Sequence, residues 1–230
     1  MVGTPAGAVV GGTPAGSAQF PWAVRVANTC DGSLIGPRAV LTAAHCVVGV
    51  RSVKVRAGAA DLGDTTAVAS TAITVAPGYR VATQGSDWAV ITLARPLDLP
   101  ILPLTPSTAY DQGSFVVVGW GAAHENGGQQ RYLRWASVPY VPDARCADAY
   151  RDDGYVAEDM ICAGNLYRGG VDACQGDSGG PLVHRDSTGG WVQVGIVSYG
   201  YGCGRRGYPG VYTQVSTYTA EIRTAVDGAG

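Results

Sequence analysis

Glycine and proline punctuate this chain so densely that they limit the class of fold before any motif is read. There are 34 glycines and 13 prolines among 230 residues, roughly a fifth of the chain. In a helix interior glycine costs about 1 kcal/mol and proline about 3 kcal/mol relative to alanine. Long helical bundles and coiled coils are therefore excluded. The share still lies below the ~25–30% that marks low-complexity disorder. Hydrophobic residues make up 46%, enough to fill a sizeable core at this length. A turn-rich, mostly β globular protein remains.

Short β-prone runs between the turn residues agree with that class. Ser52 to Arg56 alternates, with Val53 and Val55 on one face, and Trp88 to Leu93, Phe115 to Val118 and Trp191 to Val197 are further strand candidates. Many short strands with regular turn signals indicate a sandwich or barrel and not βαβ units. Four prolines between Arg95 and Pro106 suggest a crossing between two halves. The spacing of Tyr218, Ile222, Ala225 and Val226 predicts a terminal helix, with Ser216-Thr217 as its cap, and a shorter helix is expected from Asp143, after Pro142. Gly-Thr-Pro-Ala-Gly occurs at 3–7 and again at 12–16, a local duplication and not an architectural repeat.

Charge is nearly balanced, with 16 basic and 18 acidic residues, so no nucleic-acid partner is expected. Lys54 is the only lysine, which reads first as coding bias. No stretch supplies the ~20 apolar helical residues of a membrane span, so no membrane partner is expected either. Residues 1–8 lack a basic start and an apolar centre, but Ala6-Gly7-Ala8 has the small-x-small form of a cleavage site. They read as the remnant of a leader or propeptide. Six cysteines (30, 46, 146, 162, 174, 203) contain no C-x-x-C pair, which argues against a zinc ribbon. Spacing does not choose among their possible pairings, and six free thiols stay open as an alternative. The simplest choice pairs neighbours, and disulfides imply an oxidising compartment, most simply secretion.

Gly176-Asp177-Ser178-Gly179-Gly180-Pro181 is the sharpest chemical signal. Its glycines allow tight turns that aim N–H groups beside a serine hydroxyl. The same letters fit the G-x-S-x-G elbow of α/β-hydrolases, which needs an acid and then a histidine downstream. After Ser178 the only histidine is His184, with no acid between them. Upstream, His45 closes an apolar run beside Cys46, and Asp87 opens the apolar segment Trp88 to Leu93. A lone histidine is usually decoration, and a lone aspartate before a strand is usually a turn residue. The order His45, Asp87, Ser178, each within its own motif, is harder to dismiss.

Val9-Val10-Gly11-Gly12, Leu41-Thr42-Ala43-Ala44-His45-Cys46, Asp87-Trp88-Ala89-Val90, Gly119-Trp120-Gly121, the Gly176–Pro181 run and Ser198-Tyr199-Gly200 together resemble the chymotrypsin–trypsin family of serine endopeptidases. The likeness spans Val9 to about Val226 and is strongest to secreted bacterial trypsins of the Streptomyces type. It implies an all-β fold: two six-stranded antiparallel β-barrels with the active site between them, followed by a C-terminal α-helix. The expected division is 1–8 leader remnant, 9–104 first barrel with His45 and Asp87, and 105–230 second barrel with Ser178 plus the helix. The resemblance supports the neighbour pairing of the cysteines. It also implies catalysis by Ser178, His45 and Asp87, and an oxyanion hole from the N–H groups of Gly176 and Ser178. Asp172, Ala173, Gln175, Ser198, Tyr199, Gly200 and Gly210 would form the substrate site, with Asp172 selecting arginine or lysine. Release of the Val9 amine, to pair with Asp177, would activate the enzyme.

Where many members carry a hydroxyl beside the selecting acid, this chain has Ala173, which favours arginine over lysine. Ala8 is not basic, so cleavage before Val9 is expected from signal peptidase or another protease. Asp31 replaces a usual glycine near the leaving-group side of the cleft, and Tyr199 replaces a common tryptophan. Asp143 matches one ligand of a structural calcium seen in bacterial relatives, but Met160 and Gln214 replace acidic ones, so no metal and no cofactor are expected. Expected partners are protein or peptide substrates with arginine or lysine, and proteinaceous trypsin inhibitors; a monomer is expected. A silent homologue would lack a triad member, and none is missing. Esterase chemistry remains only as a side activity on activated esters. Arg205-Arg206 is the first place to look for self-cleavage.

Overall fold

The computed structural model describes residues 9–228, so the expected leader remnant and the first copy of the repeat lie outside the described residues. After a short strand β1 (Thr13–Pro14), six strands follow: β2 (Ala23–Val26), β3 (Cys30–Gly36), β4 (Ala39–Thr42), β5 (Lys54–Ala57), β6 (Thr66–Val75) and β7 (Ala89–Leu93). They close into an antiparallel barrel in the order β2-β3-β4-β7-β6-β5. Val24, Leu34, Val40, Val55 and Ile91, all fully buried, fill it.

A second set follows: β8 (Ser114–Gly119), β9 (Arg134–Val141), β10 (Met160–Ala163), β11 (Pro181–Arg185), β12 (Trp191–Tyr199) and β13 (Gly210–Gln214). These pair as β9-β10-β13-β12-β11-β8, and β8 pairs again with β9, so the sheet closes while β1 adds to β9 outside the ring. Phe115, Val117, Ile161, Leu182 and Val194 fill this second barrel. Closure leaves neither ring with an open edge for pairing with another chain. Both expected six-stranded barrels are present.

Two α-helices are found among the described residues, α1 (Asp143–Ala149) and α2 (Val215–Asp227). α1 begins at Asp143, as the Pro142-Asp143 step suggests. α2 corrects the expected cap. It starts directly from the end of β13, so Ser216 and Thr217 fall inside its first turn, and Gln214 caps it without a side-chain bond. The Ser216 hydroxyl is buried without a partner among the described residues, and Thr217 Oγ1 instead donates to Glu158 O at 2.5 Å. The anticipated apolar face is real: Tyr218 and Ile222 pack with Leu41, Trp88 and Val90 of the first barrel and Ile196 of the second. α2 is thus a brace across both barrels.

The cysteines pair as neighbours: Cys30–Cys46, Cys146–Cys162 and Cys174–Cys203, with separations of 16, 16 and 29 residues. Loops of these lengths are worth roughly 3 kcal/mol each in the chain-entropy account. No described helix is long and apolar enough to cross a membrane.

Candidate active site

His45 sits on a short 3₁₀ turn (Ala44–Cys46) just past β4, and the Cys30–Cys46 bridge ties that turn to β3. Asp87 lies just before β7, in front of the buried ring of Trp88. Its backbone and its neighbour are held from the second barrel and α2: Thr213 Oγ1 donates to Asp87 O at 2.9 Å, and Ser86 N–H donates to the Tyr218 hydroxyl at 3.0 Å. The buried Asp87 carboxylate has three partners. Oδ1 accepts from the His45 N–H at 2.9 Å, while Oδ2 lies 2.8 Å from His45 Nδ1 and accepts from Ser198 Oγ at 2.6 Å. Such an acceptor set fixes the ring and favours the tautomer with Nδ1–H and a free Nε2.

Ser178 is anchored through its backbone. Its carbonyl accepts from Asp31 N–H at 2.8 Å, and Cys46 Sγ lies 3.7 Å from the same oxygen, which brings the serine segment against the His45 turn. Next to it, Gly179 has φ +79°, and a Cβ there would meet Thr42 Oγ1 at 2.2 Å, so no larger residue fits. The Ser178 hydroxyl makes no protein hydrogen bond among the described residues. Bonds of this kind commonly form only with substrate in place.

Three consecutive peptide planes around the serine are oriented by their carbonyls. Gln175 O accepts from Ala122 N–H at 2.7 Å, Gly176 O from the Arg25 guanidinium at 2.6 Å, and Asp177 O from Gly180 N–H at 2.9 Å. In a trans peptide the N–H points opposite to the carbonyl. The first and third planes therefore turn the N–H groups of Gly176 and Ser178 away from these partners, and among the described residues neither donates to a protein acceptor.

Beside Ser178 opens a cavity of about 140 Å³, lined among others by Asp172, Ala173, Gln175, Ser198, Tyr199, Gly200 and Gly210. Asp172 is only 4% exposed. Its Oδ1 accepts from Ala173 N–H at 2.8 Å and its Oδ2 from Gly204 N–H at 3.1 Å. Burial pushes its carboxyl up to about 7, against the lowering effect of those two bonds. A Cβ on Gly210 would meet Asp172 Oδ1 at 2.5 Å, so glycine there keeps the carboxylate approachable. At Gly200 a Cβ would meet nothing closer than 3.7 Å. Tyr199 packs edge-on against Tyr150, with ring centroids 5.7 Å apart.

The model of the Trypsin family matches residues 9–222 of this sequence. The chain belongs to the trypsin family. A trypsin-like protease of Streptomyces glaucescens is 45% identical over 223 residues, covering 94% of this chain and 82% of the relative. A trypsin of Saccharopolyspora erythraea is 36% identical over 224 residues, covering 91% and 94%. A trypsin of Squalus acanthias is 35% identical over 229 residues, covering 95% and 96%. As a member of this family the chain is a serine endopeptidase, a hydrolase of protein substrates.

Asp177 and Asp31 have surroundings that the motifs do not reveal. Asp177 is fully buried, and its carboxylate accepts from Gly121 N–H at 2.7 Å and Cys174 N–H at 2.9 Å. Burial raises its pKa well above the ordinary range, the Asp31 charge raises it further, and Arg25 opposes both. The side chain of Asp31, whose backbone N–H donates to Ser178 O, turns inward and is 1% exposed, paired with Arg25. Arg25 is the residue that motif reading misses. A charge interrupting the apolar run Trp22-Ala23-Val24-Arg25-Val26 was its available signal.

Proposed function

We propose that this trypsin-family enzyme is secreted and cuts peptide bonds after arginine, and less readily after lysine, through an acyl-enzyme on Ser178. The observation that carries this reading is a buried carboxylate, Asp172, lining the same cavity as Ser178. In this reading the Ser178 hydroxyl attacks the scissile carbonyl while His45 Nε2 takes its proton and passes it to the leaving amine. Asp87 holds the ring and stabilises the imidazolium. The N–H groups of Gly176 and Ser178 receive the oxyanion, a role in which one donor is typically worth ~2.7–4 kcal/mol. Water then repeats the sequence on the ester. Hydrolysis of matched arginine, lysine and phenylalanine amides tests the proposal: turnover of arginine and lysine but not phenylalanine is expected, and equal turnover of phenylalanine overturns it.

Arginine is expected to outrun lysine by more than in a relative with serine beside the selecting acid. A guanidinium can bond both Asp172 oxygens, whereas an ammonium is a hydrated point charge that wants further acceptors. Ala173 offers only its backbone there. Ala173→Ser is therefore expected to raise kcat/KM for lysine amides more than for arginine amides, and an unchanged ratio contradicts this account.

Activation by release of the Val9 amine is part of the same proposal. It is supported by charge: two buried carboxylates, Asp31 and Asp177, face one guanidinium, that of Arg25. A freed α-amine would be a second cation. Val9 is fully buried with the second barrel's core, and it is a β-branched residue held at φ +55°, a conformation rarely tolerated in such residues. Cutting the bond before Val9 removes that torsional constraint. N-terminal sequencing of active material is expected to begin at Val9; full activity with Met1 retained overturns this step. Monomeric enzyme, with proteinaceous trypsin inhibitors seated in the same cleft, completes the proposal.

A further inference from the structure

Arg25 lies on β2 directly opposite Asp31 on β3, and the two side chains are 2% and 1% exposed. A guanidinium inside a β-barrel wall is costly unless fully paired. This one is. One terminal nitrogen donates to Asp31 Oδ1 at 2.7 Å and to Gly176 O at 2.6 Å. The other donates to Asn28 O at 2.8 Å and to the Gln129 side-chain oxygen. Asp31 is equally occupied: Oδ2 accepts from Trp120 N–H at 2.8 Å, and its backbone N–H donates to Ser178 O at 2.8 Å.

The guanidinium thus grips, from behind, the Gly176 carbonyl, whose peptide plane lies between the two that carry the N–H groups of Gly176 and Ser178 assigned to the oxyanion in the proposed mechanism, while the Asp31 backbone holds the Ser178 carbonyl. We propose that Arg25 and Asp31 are positioning residues that hold the Gly176–Ser178 backbone in its oxyanion-binding geometry. Buried ion pairs are weak contributors to stability compared with apolar residues of similar size, so stability does not account for this one. Gly176 does need an external restraint. It sits at φ +97°, where no side chain of its own limits the torsions, and a Cβ would meet the Gln129 amide at 2.8 Å. The guanidinium provides that restraint on the plane just after Gly176 and, through Gln129, anchors the loop that covers it. The usual glycine of the family at position 31 cannot form this pair.

This proposal rests on the mechanism above, and its test separates the two. The double variant Arg25→Met/Asp31→Gly removes both charges and so avoids an orphaned buried ion. Its kcat for an arginine amide is expected to fall roughly 10–100-fold, somewhat less than removal of an oxyanion donor outright. KM and the inhibition constant of benzamidine, a cation that occupies only the Asp172 cavity, are expected to stay within about twofold. The inhibition constant of an arginine boronate, which places a negatively charged oxygen in the hole, is expected to rise by the same factor as kcat falls. Arg25→Lys, which keeps charge but lacks the fork, is expected to move kcat and boronate binding in the same direction, and it serves if the double variant does not fold. Unchanged kcat, or equal weakening of both inhibitors, overturns the proposal. Failure of the wild-type enzyme to bind benzamidine counts instead against the Asp172 reading, and the comparison is then made on whichever amide it cuts.

Discussion

Ser178→Ala is expected to lower kcat by roughly 10⁶ for any amide the enzyme cuts, because nucleophile and base act as a unit and neither retains function alone. The geometry makes this substitution unusually clean. Ser178 is held by its carbonyl, which accepts from Asp31 N–H at 2.8 Å, while its hydroxyl has no protein partner among the described residues. Nothing structural depends on Oγ, so unfolding temperature is expected to stay within the range of an ordinary surface change, about 0.5 kcal/mol. Benzamidine binding in the neighbouring cavity is expected to persist, since it needs Asp172 and not the hydroxyl. A fluorophosphonate that labels the wild-type enzyme is expected to leave the variant unmodified. Residual turnover within tenfold of wild type, with fold intact, means that another residue supplies the nucleophile. His45→Ala provides an independent arm, with the same expected collapse of kcat.

The parts of this design that were legible in the sequence are the local ones. The alternating run Ser52–Arg56 became a strand that begins only at Lys54, and the apolar run Phe115–Val118 became one in full, because each buries side chains such as Val55, Phe115 and Val117 in a barrel. The order of His45, Asp87 and Ser178 separated this site from an α/β-hydrolase because chain order reflects topology. The start of α1 follows from proline's fixed φ. The start of α2 did not follow from Ser216 and Thr217, because β13 runs straight into the helix and places them beyond its first position. Arg25 stood out as a charge in an apolar run, but its partners were illegible for a different reason. Its partner Gly176 lies 151 residues away, and closure of one barrel against the other brings them together. Asp31 was visible as a departure, but the direction of its side chain depends on which face of β3 turns toward Arg25, and that is settled by register across the strand pair. Pairings of this range leave no period in a sequence.

Asp172→Asn is expected to separate activity from stability, moving them in opposite directions at neutral pH. In the unliganded pocket burial raises the Asp172 carboxyl from 3.8 to about 7. A group whose folded pKa lies above its unfolded value binds its proton more tightly in the folded state. The fold therefore loses stability as pH rises from about 4 to about 7, and above that the ionised carboxylate costs on the order of 4 kcal/mol. Asparagine keeps the shape and removes that cost, although its amide N–H groups cannot accept from both Ala173 and Gly204 as the carboxylate does. The variant is accordingly expected to unfold at a higher temperature than wild type at pH 8, and at the same or a slightly lower temperature at pH 4.5. Activity goes the other way. An arginine side chain entering the pocket would lose its counter-charge, and removing one partner of a buried pair costs about 2–5 kcal/mol, or roughly 30- to 4,000-fold in kcat/KM. Cleavage after phenylalanine is expected to be unchanged or higher. In the wild-type enzyme benzamidine affinity is expected to fall about tenfold per pH unit below 7, as the empty pocket's carboxylate takes up a proton, and to be low and flat with pH in Asp172→Asn. If arginine amides are cut by the variant within threefold of wild type, Asp172 does not select the substrate. If benzamidine affinity in wild type is independent of pH between 5 and 8, the carboxylate is not held near 7 by burial, and the stability gain at pH 8 disappears with it.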